Sequence, residues 1–253
     1  HSFLYTGYLD RADGVVNLCK LKSHGMMGMS AGAKNMFGAI PGTVKPEYHF
    51  KFPDYSDFAD MIVDINEYFK PRLTVTDAVV GMEGNGPTAG DAREMGFIAA
   101  SKSPHAADLV CSEILGLKKE NLPILLAAQR RKLIPESAEE LCVHGGIEDF
   151  KVTDFKYVAV PTSLVFSGKN PFMKLLSRVA GGVLRTKPRL EGRECVGCGV
   201  CKKVCPAGAV EIKGGRAVID RKRCIRCFCC QEFCPKGAMK VYRSFLARVM
   251  GKM

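Results

Sequence analysis

Apolar and polar positions along the first two thirds of the chain alternate between a strand period and a helix period. "VVNLCKL" from Val15 reads as a buried strand, and "SAGAKNMFGAI" from Ser30 predicts a capped helix ending near Gly38. "SDFADMIVDINEYFKP" predicts a second helix, with Ser56 as N-cap and Pro71 just past its end. "LTVTDAVV", Leu73 to Val80, is a β-branched strand that opens into the glycine-rich "GMEGNGPTAGD". "GFIAAS" predicts another strand. "SPHAADLVCSEILG" predicts a helix with Ser103 at the cap, Pro104 in its first turn and Gly116 beyond its end. This alternation predicts an α/β domain with a largely parallel sheet over residues 1–168.

Beyond it the pattern changes three times. Residues 169–193 form a basic amphipathic connector, with Phe172, Leu175, Leu176 and Val179 at helical spacing beside Lys174 and Arg178. Residues 194–240 form a small cysteine-rich module. Residues 241–253 are a basic amphipathic tail, with Phe245, Leu246, Val249 and Met250 opposite Arg243, Arg248 and Lys252. Both stretches are expected to pack on the protein's own domains, with docking on an acidic partner or an anionic membrane as the alternative. No apolar run approaches the roughly 20 residues that a membrane-spanning helix requires.

Shifting the sequence by 29 places maps Cys195, Cys198, Cys201, Cys205 and Pro206 onto Cys224, Cys227, Cys230, Cys234 and Pro235. Each copy reads C-x2-C-x2-C-x3-C-P. This is the bacterial two-cluster ferredoxin run, in which the fourth Cys of one run ligates the cluster of the other. Two [4Fe-4S] clusters are therefore expected, one on Cys195, Cys198, Cys201 and Cys234, the other on Cys224, Cys227, Cys230 and Cys205. The register assigns the third ligand of "CFCC" to Cys230 and leaves Cys229 spare. Structural zinc is the alternative, but zinc pairs lack the third Cys and the closing C-P. "AVEIKGGRAVID" predicts a hairpin turning at Gly214-Gly215, giving a compact α+β ferredoxin-like unit whose metal supplies much of its folding free energy.

Nine of the 12 cysteines lie in this module, which argues for ligands in a reducing compartment rather than disulfides and predicts a cytoplasmic location. Cys19, Cys111 and Cys142 are expected to be small buried hydrophobes. The formal charge of +11 falls to about +7 once two clusters of about −2 are bound. The chain stays basic, which points to an acidic redox partner, an anionic membrane face or an anionic small molecule. No nucleic-acid partner is expected, because no aromatic-studded basic groove is visible.

In "CKLKSHG", Lys20, Lys22 and His24 share one face if the strand stays extended to its carboxyl end. A second strand carries Asp77 and runs into a loop with Glu83, Asn85 and Asp91. Together these could form a site of cations facing carboxylates; solvated strand ends beside an ordinary glycine loop would look the same. "VNLCKLKSHGMMGMSAGAKNMFGAIPG" and "RLTVTDAVVGMEGNGPTAGDARE", followed by the double cysteine run, resemble the domain of unknown function 362 family of iron-sulfur proteins. The resemblance reaches to about residue 240 and departs at Cys19, where the family commonly has Pro. It implies an architecture and an iron-sulfur redox role without naming a substrate; together with the same-face spacing it makes Lys20, Lys22, His24 and Asp77 the candidate catalytic residues and Lys34, Asn35, Glu83, Asn85 and Asp91 the candidate substrate-binding ones. Members usually carry a further N-terminal α/β segment, so part of the sheet is expected to be missing. Three functions stay open: electron transfer between a partner and the α/β domain, a fused reductase acting on an anionic or carbonyl molecule, and a non-redox protein with structural or sensing clusters.

Overall fold

The computed structural model describes residues 2–42, 44–158 and 186–242; the connector from 169 to 185 and the tail from 243 lie outside the described residues. Four strands, β1 (Val16–His24), β2 (Gly28–Ser30), β3 (Leu73–Glu83) and β4 (Asp91–Ser101), form one sheet in the order β2-β1-β3-β4. Only β1 and β3 run parallel, while β2 on β1 and β4 on β3 are antiparallel. The expected largely parallel sheet is thus mixed. Seven residues separate β3 from β4, too few for the crossover that parallel neighbours need, so the glycine-rich loop closes a long hairpin.

β1 is buried on one face rather than on both. Asn17, Cys19, Leu21 and Ser23 point into the core, whereas Leu18 is 67% exposed. Ile98 of β4 is likewise 63% exposed. Among the described residues, helices contact the sheet through α1 (Gly32–Asn35) on β1 and α4 (Pro104–Ile114) on β3 and β4. α3 (Tyr55–Phe69) packs in turn on α5 (Pro123–Arg130), a helix for which no signal was read.

The caps explain where the sequence signals held. Ser103 caps α4 by accepting from Ala106 N–H at 3.2 Å, as expected. α3 begins one residue before Ser56, because Asp54 accepts the Ser56 N–H at 2.8 Å, a cap worth about 1 kcal/mol. The helix predicted from Ser30 is split: Ser30 ends β2, and one α turn passes into a 3-10 turn, Met36–Ala39. Its first N–H groups find no local cap. Gly32 and Ala33 donate instead to the two Asp108 oxygens of α4, at 2.7 and 3.1 Å. Burial raises that carboxyl to about 7 even though both N–H bonds oppose the rise.

Cys19 and Cys111 are buried, and burial pushes the Cys19 thiol up to about 11. Cys142 is exposed, contrary to expectation, because it lies in an irregular segment after a 3-10 turn, at the edge of an open cavity beside β4 and α4.

The cysteine module is built from two two-stranded sheets. β6 (Val210–Lys213) and β7 (Arg216–Ile219) form the expected hairpin at Gly214-Gly215. β5 (Lys187–Leu190) pairs with β8 (Met239–Tyr242), so the module includes residues expected in the connector and extends two residues past 240.

Candidate functional site

In each repeat the ligand loop ends in a single helical turn, α6 (Val200–Lys203) or α7 (Cys229–Glu232), entered through a residue of positive φ. That geometry folds the three closely spaced cysteines round one point. Cys195, Cys198, Cys201 and Cys234 line one small cavity whose other walls include Leu190, Ile212, Ala217 and Met239. Burial pushes the Cys201 thiol up, and Cys195, Cys198 and Cys234 add to the rise. The second set behaves alike: burial raises Cys230 first, followed by Cys227, Cys224 and Cys205. Cys229 is buried against Cys227, whose thiol is held down by a hydrogen bond from Cys229.

These residues fit two iron-sulfur clusters. Each set joins three cysteines of one repeat to one of the other, with one member buried, Cys201 or Cys230, and Cys198 exposed at the edge of the first. Among the described residues no three His, Cys, Asp or Glu side chains stand close enough to hold a single ion. A [4Fe-4S] cubane takes one thiolate on each of its four irons, and each set supplies four cysteines.

The module is seated on the α/β domain along a defined seam. Asn85 Oδ1 accepts from Val241 N–H at 2.7 Å, and the Asn85 and Gly86 carbonyls accept from Gln231 Nε2 at 2.9 and 3.1 Å. Thr88 Oγ1 donates to the Glu232 carbonyl at 3.0 Å. Phe228 inserts into the core of the larger domain. Gly25 makes room for this contact, since a Cβ there would lie 2.8 Å from Val241 Cγ2 and 3.6 Å from the Phe228 ring.

The residues proposed for the α/β domain do not meet at one point. Lys20 pairs with Asp77 across β1 and β3 on the open face of the sheet, and that bond holds the Asp77 carboxyl below its usual range. Glu83 is buried, accepting the Lys156 N–H at 3.1 Å and lying 3.3 Å from Lys156 Nζ. Asn85 belongs to the seam, Asp91 is exposed at the start of β4, and Asn35 ties α1 to β1 through Asn17 Oδ1 and the Leu18 carbonyl at 2.8 and 2.9 Å. The bulge between Lys20 and Lys22 and the fold-back of β2 break the simple alternation, so His24 is buried while Lys20 is not.

A different group does come together. His24 Nδ1 accepts the Met26 and Met27 N–H groups at 3.1 and 3.2 Å, which puts its proton on Nε2. Burial, with Lys34 nearby, keeps that imidazole neutral. Lys34 is only 8% exposed, with Nζ 4.7 Å from the Phe37 centroid and 5.8 Å from that of Phe58. His49 stacks on the same Phe58 at 4.4 Å, and burial followed by Lys34 pulls it down to about 3. His49 and Lys45 were not singled out from the sequence; nothing in a helix "KPEYHFK" distinguishes a site from a surface turn.

Residues 3–113 match the family described as Domain of unknown function (DUF362), and residues 187–235 match the 4Fe-4S dicluster domain. Two curated relatives are similar in part. A thylakoid-associated protein of Synechocystis sp. is 41% identical over 129 residues, 51% of this chain and 40% of that protein. A ferredoxin-like protein in the vnf region of Azotobacter chroococcum is 52% identical over 31 residues, 12% of this chain and 48% of that protein. The chain spans less than half the length of each. It carries a DUF362 domain followed by a ferredoxin-like 4Fe-4S domain.

Proposed function

We propose that the chain carries single electrons through two [4Fe-4S] clusters, between a redox partner protein and the α/β domain. The observation that supports this best is the cavity lined by three cysteines of one repeat and one of the other. When bound, each cluster takes up and gives back one electron. The outer set, Cys195, Cys198, Cys201 and Cys234, includes the exposed Cys198 and is where a partner docks. The inner set, Cys205, Cys224, Cys227 and Cys230, shares its loop with Phe228 and Gln231, which hold that loop to the larger domain. Ala209 donates its N–H to the Cys205 sulfur at 3.2 Å, spreading negative charge on that thiolate.

The remaining basic charge favours an acidic partner. Among the described residues no helix is long and apolar enough to cross a membrane. A relative named for its thylakoid association supports a peripheral membrane contact for this chain as well, made by the basic stretches at 169–193 and 241–253. Free thiols in this number favour a reducing, cytoplasmic setting. Anaerobically purified protein should contain about eight iron and eight sulfide per chain and show reduced-cluster signals in EPR after dithionite. Zinc as the dominant metal, or about four iron, would overturn the reading.

A further inference from the structure

Lys34 is buried, with its ammonium 4.7 and 5.8 Å from the centroids of the Phe37 and Phe58 rings, and among the described residues no carboxylate forms an ion pair with it. Glu232, whose charge reaches Lys34, is beyond ion-pair distance, and Lys22 and Lys45 add further positive charge from the same domain. A charge withdrawn from water costs several times an ordinary hydrogen bond unless something of opposite sign completes its site. His24, which feels the charge of Lys34, has a buried Nε2–H with no acceptor among the described residues. His49 shares both aromatic neighbours with Lys34, and its Nδ1 is also buried and unpartnered among the described residues.

What is missing is acceptors: Lys34 and Lys45 stand with their Nζ atoms 4.7 and 5.8 Å from the Phe37 centroid and His49 lies 5.9 Å from it, while among the described residues no carboxylate forms an ion pair with either lysine. From the inner repeat, the charges of Cys229 and Glu232 at the two ends of its helical turn reach Lys34. We propose that this place holds the oxyanion of a small molecule, a carboxylate or phosphate group, on Lys34 Nζ and His24 Nε2, with His49, Lys22 and Lys45 around it. Its redox meaning rests on the electron-carrier reading, because charges of the inner repeat reach Lys34; the binding itself does not. Lys20 and Asp77 satisfy one another on the other face of the sheet and take no part.

The test uses iron-loaded, anaerobically purified protein in a chloride buffer, with inorganic phosphate or acetate added at matched ionic strength. Melting temperature and calorimetric titration are read for wild type and variants. A ligand that binds only the folded state raises Tm by about 5 °C or more at a hundredfold excess over Kd. Wild type should respond to one or both probes, phosphate alone identifying a phosphate group and acetate alone a carboxylate. Lys34→Met should lose the response at least tenfold without a lower Tm in chloride, because it removes an uncompensated buried charge. Lys34→Arg should retain it, and His24→Gln should weaken it about fivefold. If Lys34→Met does not fold, His24→Gln and Lys45→Met carry the same comparison.

Wild type insensitive to both anions overturns the site. So does Lys34→Met with an undiminished response. A cluster potential moved by Lys34→Met in a protein that binds neither anion would show that Lys34 is a counter-charge for the cluster instead, and overturns the site too. Iron and sulfide measured on the same samples separate the two readings: anion binding without iron leaves the site and removes the electron carrier, whereas eight iron with no anion response removes only the site.

Discussion

The two cysteine repeats share a spacing and a local fold but have different neighbours. In the first, the positive-φ positions of the ligand loop are Gly197 and Gly199, at 66° and 78°; in the second they are Arg226 and Phe228, at 61° and 64°. Glycine adopts that conformation freely, whereas an L side chain there costs roughly 1 kcal/mol or more. The second repeat carries that cost at Phe228, where burial of the ring, 2% exposed in the core of the larger domain, returns about 2 kcal/mol. Val196 of the first repeat, by contrast, is 63% exposed. The duplication thus kept one ligand loop generic and turned the other into an anchor. On the two-cluster proposal, that asymmetry makes one cysteine set outer and the other inner.

The comparison is broken most severely through the ligands. Cys205→Ala should lose the inner cluster, leaving about four of eight iron, although residue 205 belongs to the first repeat. Cys229→Ala should leave iron content unchanged. EPR of the reduced variants checks both, and loss of the outer cluster in Cys205→Ala would show that ligation does not cross between repeats.

Next in size is the anchor. Phe228→Ala keeps the unfavourable backbone and removes the buried ring, so it should cost about 3–5 kcal/mol in chemical denaturation. A cost under about 1 kcal/mol would mean that the module is not held by this contact. Asn85→Ala leaves the Val241 N–H without its acceptor at the seam and should cost about 1–3 kcal/mol, with faster hydrogen exchange confined to β8 and the 84–90 loop. Uniform acceleration across the sheet would place the damage elsewhere. The smallest effect belongs to the free repeat. Space around Gly199 is open, so Gly199→Ala meets only backbone strain and should cost about 1 kcal/mol in thermal unfolding, well below Phe228→Ala. An equal loss in both would erase the distinction between the repeats.

Much of this was legible in one dimension because it is local. Ser103 capped its helix, Gly214-Gly215 turned its hairpin, and the cysteine spacing placed three sulfurs round one point, since each depends on residues a few positions apart. The larger domain was harder. "GMEGNGPTAGD" reads equally as a ligand loop or a hairpin loop, and only pairing of Glu83 with Asp91 shows the latter. Likewise, Lys20, Lys22 and His24 look equivalent along the strand. A bulge and the fold-back of β2 separate them.

The sequence by itself determined the repeat, its 4Fe-4S ligand spacing and the local caps and turns at Ser103 and Gly214-Gly215, because such hydrogen bonds and the reach of neighbouring thiols act over a few residues. Tertiary structure decided which repeat faces the larger domain, why Asp108 caps a helix 75 residues before it, and that Lys34 and His49 meet at the same Phe58 ring. Those outcomes depend on desolvation. Whether a lysine is solvated or buried is set by what packs over it, and the charges that reach the buried Lys34 include Glu232, nearly 200 residues further along the chain.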